Sequence, residues 1–255
     1  MTSVALRPLS VGEIIDASFQ VYRRHFAALA TIVLVCSGLP MLLQIYMRAV
    51  GGVHWGFSIL YLLLSVVLGL IATGATVFVV SESYLGRGIT AREALARATP
   101  FVVPMILASL GVGLLAFVGF ILFVIPGIIA ICGLAITVPA LVVESLTPGA
   151  AMGRSWSLTR DHRLRMLGLF CVIFILLVVP YIAVMGVFGV IAALISSSGS
   201  GAGAALLLVG VVIAAILQLL LSPLYQAALV IAYYDLRVRK EGFDLEVLAN
   251  SVRAA

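Results

Sequence analysis

The sequence predicts an all-α, polytopic membrane protein with six transmembrane helices, arranged as three units that each contain a short interfacial helix and a hairpin of two spans. Of its 255 residues, 64% are hydrophobic and only 10% are charged, and the mean hydropathy is +1.27. A soluble domain has about 45–50% apolar and about 25% charged residues. The composition therefore excludes a water-soluble enzyme, and it excludes a disordered chain, which needs low hydrophobicity and high charge.

Six apolar segments are each long enough to cross a bilayer, which takes roughly 20 apolar residues in a helix. They cover about 26–47, 57–82, 101–124, 127–146, 166–195 and 204–235. Their apolar residues are continuous, whereas the strands of a membrane barrel alternate apolar with polar residues. The third and fourth spans are separated only by Ile125-Pro126-Gly127, which predicts a helix break there and a tight hairpin. A linker rich in Ser and Gly, 196–203, joins the last two spans.

The basic residues predict the orientation of the chain. All of the 15 lysines and arginines except Arg48 fall before the first span, after the last span, or in the loops that follow the second and fourth spans. The positive-inside rule places these segments in the cytoplasm. We therefore expect a multi-pass protein of the inner or plasma membrane with both termini cytoplasmic.

The cytoplasmic segments repeat a pattern. Ser10 with Glu13, and Thr90 with Glu93, each have the spacing of a capping box, and Thr147-Pro148 is a third helix start. Each start precedes two spans. The pattern predicts a single membrane domain with repeat units of about 9–82, 89–146 and 147–235 and a cytoplasmic tail, 236–255.

Each pair of spans ends with a carboxylate: Glu82, Glu144 and Asp235. The favoured interpretation is that these acids sit at helix ends and pair with nearby arginines. The alternative is a ring of three carboxylates at the cytoplasmic mouth of the bundle, because ionisable residues at a membrane are functional candidates by default.

Polar uncharged residues are few in the spans, and the clearest set lies in the sixth. Gln218, Ser222 and Gln226 are spaced four residues apart, so they share one face of a helix. Hydrogen bonds between helices are the favoured interpretation. A polar path or substrate site is the alternative.

Lipid contacts and cofactors are the remaining site predictions. Five arginines are candidates for contact with anionic lipid headgroups: Arg97, Arg154, Arg160, Arg163 and Arg165. The three histidines, His25, His54 and His162, fall in different loops and predict no metal cluster. We expect no catalytic residue, cofactor or nucleic-acid partner. The expected partners are membrane lipids and either another membrane protein or a second copy of the chain.

Three stretches stand out beside the spans: RPLSVGEIIDASFQVYRRHF from Arg7 to Phe26, PALVVESLTPGAAMGRSWSLTR from Pro139 to Arg160, and YYDLRVRKEGFD from Tyr233 to Asp244. With the six spans, they resemble the bacterial family named the glycerophosphoryl diester phosphodiesterase membrane domain, over nearly the whole chain. In the members that give the family its name, such a domain is fused to a soluble phosphodiesterase domain with catalytic histidines and metal-binding carboxylates. No catalytic residue carries over to this sequence. The resemblance implies an integral membrane anchor or partner module rather than a hydrolase.

These observations predict a multi-pass membrane protein without catalytic activity, which acts as an anchor, scaffold or regulator in an envelope or lipid-related process. A transporter or lipid-handling protein, with a polar path along the sixth span, is the second hypothesis. An intramembrane hydrolase ranks last, because no nucleophile and base occur together at membrane depth.

Overall fold

The computed structural model describes residues 7–50, 55–196 and 202–242, apart from the side chains at positions 48, 49 and 196. In these residues six helical segments are long and apolar enough to cross a membrane, which confirms the all-α fold class with six spans. They are α2 (Phe26–Val50), α3 (Trp55–Tyr84), α5 (Val102–Leu122), α6 (Val124–Leu134) with α7 (Thr137–Val143), α9 (Arg163–Ser196) and α10 (Ala202–Glu241). His54, most of the predicted linker and residues 243–255 of the predicted tail lie outside the described residues.

A short helix precedes each pair of spans. These helices are α1 (Val11–Arg24), α4 (Ala91–Ala98) and α8 (Pro148–Thr159). A 3-10 turn, Thr99–Phe101, joins α4 to α5. Pro148 is the first residue of α8, where its missing N–H costs no helical hydrogen bond. This order matches the predicted arrangement, and the exact bounds of the repeat units stay a prediction.

The caps of α1 and α4 differ. At α1 the Ser10 side chain accepts from the Glu13 N–H at 3.2 Å, and the Glu13 carboxylate accepts from the Ser10 N–H at 2.6 Å, which completes a capping box. At α4 the Thr90 hydroxyl accepts from the Glu93 N–H, but the Glu93 carboxylate pairs with Arg97 at 2.6 Å. Only half of the second predicted box is therefore formed.

The hairpin between α5 and α6 turns earlier than predicted. The break falls at Phe123, whose φ of −169° is extended, and Ile125-Pro126-Gly127 lies inside the first turns of α6. The first turn of a helix has no partner for its N–H groups, so Pro126 is tolerated there. Glycines make the turn compact: a Cβ on Gly119 would lie 2.9 Å from the Gly127 backbone.

Two further bounds differ from the prediction. The fourth span is divided at Ala135-Ile136, between α6 and α7. The last span does not end at Asp235, because α10 continues to Glu241. In this extension Leu236 and Val238 are buried, so one apolar face holds the helix in place after the hydrophobic run has ended.

The best-packed part of the molecule is the end where α1, α4, α8 and the last turns of α10 meet, and we call this the arginine-rich end. Every residue of α10 from Ala227 to Leu236 is buried. Between Ala205 and Leu221 the same helix is mostly exposed or half-buried. The bundle is therefore tightly closed at the arginine-rich end and looser toward the other, where cavities open between the helices.

Candidate functional site

Asp235 anchors the segment before α1 to the bundle. Its fully buried carboxylate accepts a hydrogen bond from the Leu9 N–H at 2.6 Å. It also pairs with Arg165 of α9 at 3.1 Å and with Arg239 of α10 at 3.0 Å. Both guanidinium groups donate to the Leu9 carbonyl oxygen as well. A buried charge is tolerated only when it is paired and hydrogen-bonded, and this carboxylate meets both conditions.

Glu144, at the end of α7, connects the second pair of spans to α8 and α10. It accepts from the Arg154 Nε at 2.9 Å and from the Tyr233 hydroxyl at 2.6 Å. The Arg154 guanidinium also donates two further hydrogen bonds to the Glu241 carboxylate. The hydrogen bonds from Arg154 to Glu241, followed by those to Glu144, raise the pKa of the Arg154 guanidinium.

Glu82, near the end of α3, has the most exposed partners of the three carboxylates. It pairs with Arg97 at 3.2 Å and with Arg87 at 3.7 Å. The neighbouring Ser81 hydroxyl shares a 2.5 Å hydrogen bond with the Tyr234 hydroxyl. The Tyr84 ring stacks on Tyr234 with centroids 4.9 Å apart.

Three consecutive residues of α10 thus contact three different parts of the chain. Tyr233 binds Glu144, Tyr234 binds Ser81 of α3, and Asp235 binds the segment before α1. All three predicted carboxylates have arginine partners, but Asp235 lies six residues inside α10 rather than at a helix end, which corrects its predicted position. Each acid pairs with its own arginine. A functional ring formed by the three carboxylates therefore stays a hypothesis.

The five predicted headgroup arginines have different surroundings. Arg97, Arg154 and Arg165 are engaged in the ion pairs described above. Arg163 lies over the Trp156 ring at 4.1 Å, and that ring packs so closely on Gly133 that a Cβ there would lie 2.5 Å from it. Arg160 is exposed. Contact with lipid headgroups stays a prediction for the whole set.

A cavity of about 380 Å³ opens between α2, α3 and α10, and we call it the polar cavity. Gln218 and Ser222 of the predicted set line it. Its other polar lining residues are Ser37, Gln44, Tyr61 and Ser65. Gln226, one turn further along α10, does not line the polar cavity but donates to the Thr73 hydroxyl of α3 at 3.3 Å. The structure therefore separates the predicted trio into a helix contact and two cavity residues.

Two apolar cavities adjoin the polar one. Gln218 and Ser222 also line a cavity of about 370 Å³ between α9 and α10. That cavity shares Leu177, Val178 and Tyr225 with a groove of about 650 Å³ between α6 and α9, which we call the apolar groove. The three spaces follow one another around α10.

Sequence reasoning missed several of these residues. Tyr233 and Tyr234 hydrogen-bond to Glu144 and Ser81. Their position directly before the acid Asp235 is the sequence signal that could have indicated this role. Gln44 was visible as a lone amide within an apolar run, but only the helix packing brings it beside Gln218.

The titratable groups of the loops suit structural roles. Burial lowers the pKa of His162, and the charges of Arg239, Lys240 and Arg165 lower it further. Burial, followed by the charge of Arg24, also lowers the pKa of His25. Among the described residues, no three His, Cys, Asp or Glu side chains are grouped as a metal site would require.

In comparisons with protein-family models, curated proteins and solved structures, no match to this chain was found.

Proposed function

We propose that this chain is a non-catalytic, multi-pass protein of a bacterial inner membrane that serves as an anchor, scaffold or regulator for a partner in an envelope or lipid-related process. The observation that carries the proposal is the preassembled arginine-rich end. There the ion pairs and tyrosine hydrogen bonds of α10 join the ends of α3 and α7 and the segment before α1.

This construction favours a rigid platform over a reactive site. The acids Glu82, Glu144 and Asp235 are occupied by arginines, so none is free to act as a general base. Arg92 and Arg160 are exposed, and neither forms a salt bridge with another described residue, although the charge of Arg160 contributes to the lowered pKa of Asp161. Exposed cations at this position suit an acidic partner surface or anionic headgroups. The resemblance to a membrane module that accompanies other domains supports the same proposal.

Affinity purification of the full chain from native membranes tests the scaffold function. We compare wild type with the double variant Arg92→Gln/Arg160→Gln. The control, Arg7→Gln/Arg87→Gln, removes the same charge from exposed arginines that already pair with carboxylates. The scaffold predicts a stoichiometric membrane partner that is lost in the first variant and kept in the control. No partner in any sample, together with solute movement by purified protein in liposomes, contradicts it.

A lipid-handling function is the second candidate, and the polar cavity favours it. Uncharged polar side chains from three spans meet there within the apolar part of the bundle. Proteoliposomes that contain the purified chain, compared with protein-free vesicles, test this function through the rate at which a fluorescent lipid crosses the bilayer. Equal rates contradict lipid movement and leave the scaffold proposal in place.

A further inference from the structure

The polar cavity lies far from the arginine-rich end along the spans that line it. Gln44 is 18 residues beyond Phe26 in α2, or roughly 27 Å at the rise of an α-helix. Gln218 is 17 residues before Asp235 in α10, or roughly 26 Å. A further 16 residues of α10, or roughly 24 Å, precede Gln218 on the opposite side. The two amides therefore lie far from the arginine-rich end, and Gln218 lies within the apolar run of α10.

The two glutamines of the cavity differ from Gln226 in their hydrogen bonding. Gln226 bonds Thr73 and joins two helices. Gln44 and Gln218 make no hydrogen bond to any other described residue, and Gln218 is exposed. An amide without a partner is unfavourable in an apolar medium. The contact between α3 and α10 thus accounts for the amide of Gln226. It does not account for the amides of Gln44 and Gln218, which we attribute to a bound ligand.

The chemistry of the lining selects the class of ligand. No residue that lines the polar cavity is charged. A phosphate or ammonium group would therefore lack a counter-charge there. The glutamine amides and the hydroxyls of Ser37, Tyr61 and Ser65 both donate and accept hydrogen bonds. Hydroxyl groups are the complementary ligand, because they also do both.

We propose that the polar cavity binds the headgroup of a membrane lipid that is uncharged and carries hydroxyl groups, while an acyl chain follows the adjoining apolar cavities. Gln218 and Ser222 line both the polar cavity and the first apolar cavity, so one molecule reaches both. Phe170 and Phe174 of the apolar groove continue the path along α9. The inference rests on the lipid-handling function and gives it a substrate class.

Photocrosslinking of the full chain tests the site. The chain is reconstituted in phosphatidylglycerol nanodiscs with a photoactivatable, alkyne-tagged diacylglycerol. The expected adducts map to cavity residues such as Met41 and Leu219. Gln44→Leu/Gln218→Leu should reduce their yield roughly tenfold, the effect of losing two intramembrane hydrogen bonds. Gln226→Leu, which removes the amide that joins two helices, should leave the yield unchanged.

A second variant fills the cavity rather than removing its polar groups. Ala215→Phe should lower the yield while keeping both glutamines, and the elution profile and Tm of each variant establish that it is folded. Three results overturn the proposal: adducts spread evenly over the lipid-facing helices, equal labelling by a phosphatidylglycerol probe, or loss of labelling on addition of free glycerol. The last result would assign the cavity to a soluble polyol.

The photocrosslinking experiment and the lipid-movement experiment distinguish failure of this inference from failure of the lipid-handling function. Labelling of the cavity without lipid movement in proteoliposomes means that lipid handling fails while the site stands. Lipid movement without labelling of the cavity means that the function stands and this inference fails.

Discussion

Removing the charge of Asp235 should destabilise the protein more than removing any other carboxylate. Asp235→Asn keeps an oxygen that accepts from the Leu9 N–H, but it leaves Arg165 and Arg239 facing a neutral group. Breaking a buried ion pair at one partner costs about 3–5 kcal/mol. Both arginines are only partly buried. We therefore expect the lower end of that range, about 3 kcal/mol.

Glu82→Gln is the matched control, because Glu82 also follows a pair of spans and also pairs with two arginines. The side chains of Arg97 and Arg87 are 46% and 69% exposed, so water compensates them when the charge is removed. Exposed pairs contribute about 0–1 kcal/mol. The two substitutions should therefore differ severalfold in their effect on the free energy of unfolding.

The assay follows a thiol-reactive dye during heating, because Cys36 and Cys132 are buried in the folded protein. At 2–4 °C per kcal/mol, Tm should fall by roughly 6–12 °C for Asp235→Asn and by no more than about 4 °C for Glu82→Gln. Adding Arg239→Gln to Asp235→Asn removes one of the two arginine charges that have lost their partner, and it should restore part of the decrease in Tm. Equal Tm values for the two single variants, or no recovery in the double variant, would refute this reasoning.

Three smaller perturbations test other parts of the structure. Gly119→Ala places a methyl group against the Gly127 backbone, and overpacking of this kind costs about 1–3 kcal/mol, measured as a lower Tm. Gln226→Leu removes the hydrogen bond to Thr73 and should cost only about 0.6 kcal/mol by chemical denaturation. Hydrogen bonds from the Ser10 backbone and from Arg7 lower the pKa of Glu13 from 4.5 to about 2. A carboxyl ¹³C titration should therefore find Glu13 ionised at pH 3, and the cap of α1 should weaken only as pH falls through about 2.

The sequence was sufficient for the spans because each is a continuous apolar run, and such a run satisfies its backbone hydrogen bonds in lipid as a helix, whereas a barrel strand alternates apolar with polar residues. Boundaries set by packing were harder to predict. Pro126 indicated a break, yet the first turn of a helix accepts a proline, so the chain turns at Phe123. The fall in hydrophobicity predicts that the last span ends at Asp235, whereas a buried face at Leu236 and Val238 continues the helix.

The candidate site was only partly predictable. The spacing of Gln218 and Ser222 placed them on one helix face, which is local information. That Gln44 and Tyr61 complete the same cavity depends on how α2 and α3 pack against α10. Arginine partners for the three acids were expected from charge alone, but the choice of Arg165 for Asp235 depends on the approach of α9.

The bond between Leu9 and Asp235 joins residues 226 positions apart. Leu9 is synthesised 226 residues before its partner, and α1 to α9 and most of α10 lie between them. The segment before α1 must therefore wait until these helices have been synthesised before it can dock. A nascent chain that is cut short before Tyr233 would leave the arginine-rich end open, and a quality-control protease could recognise the incomplete protein by that open end.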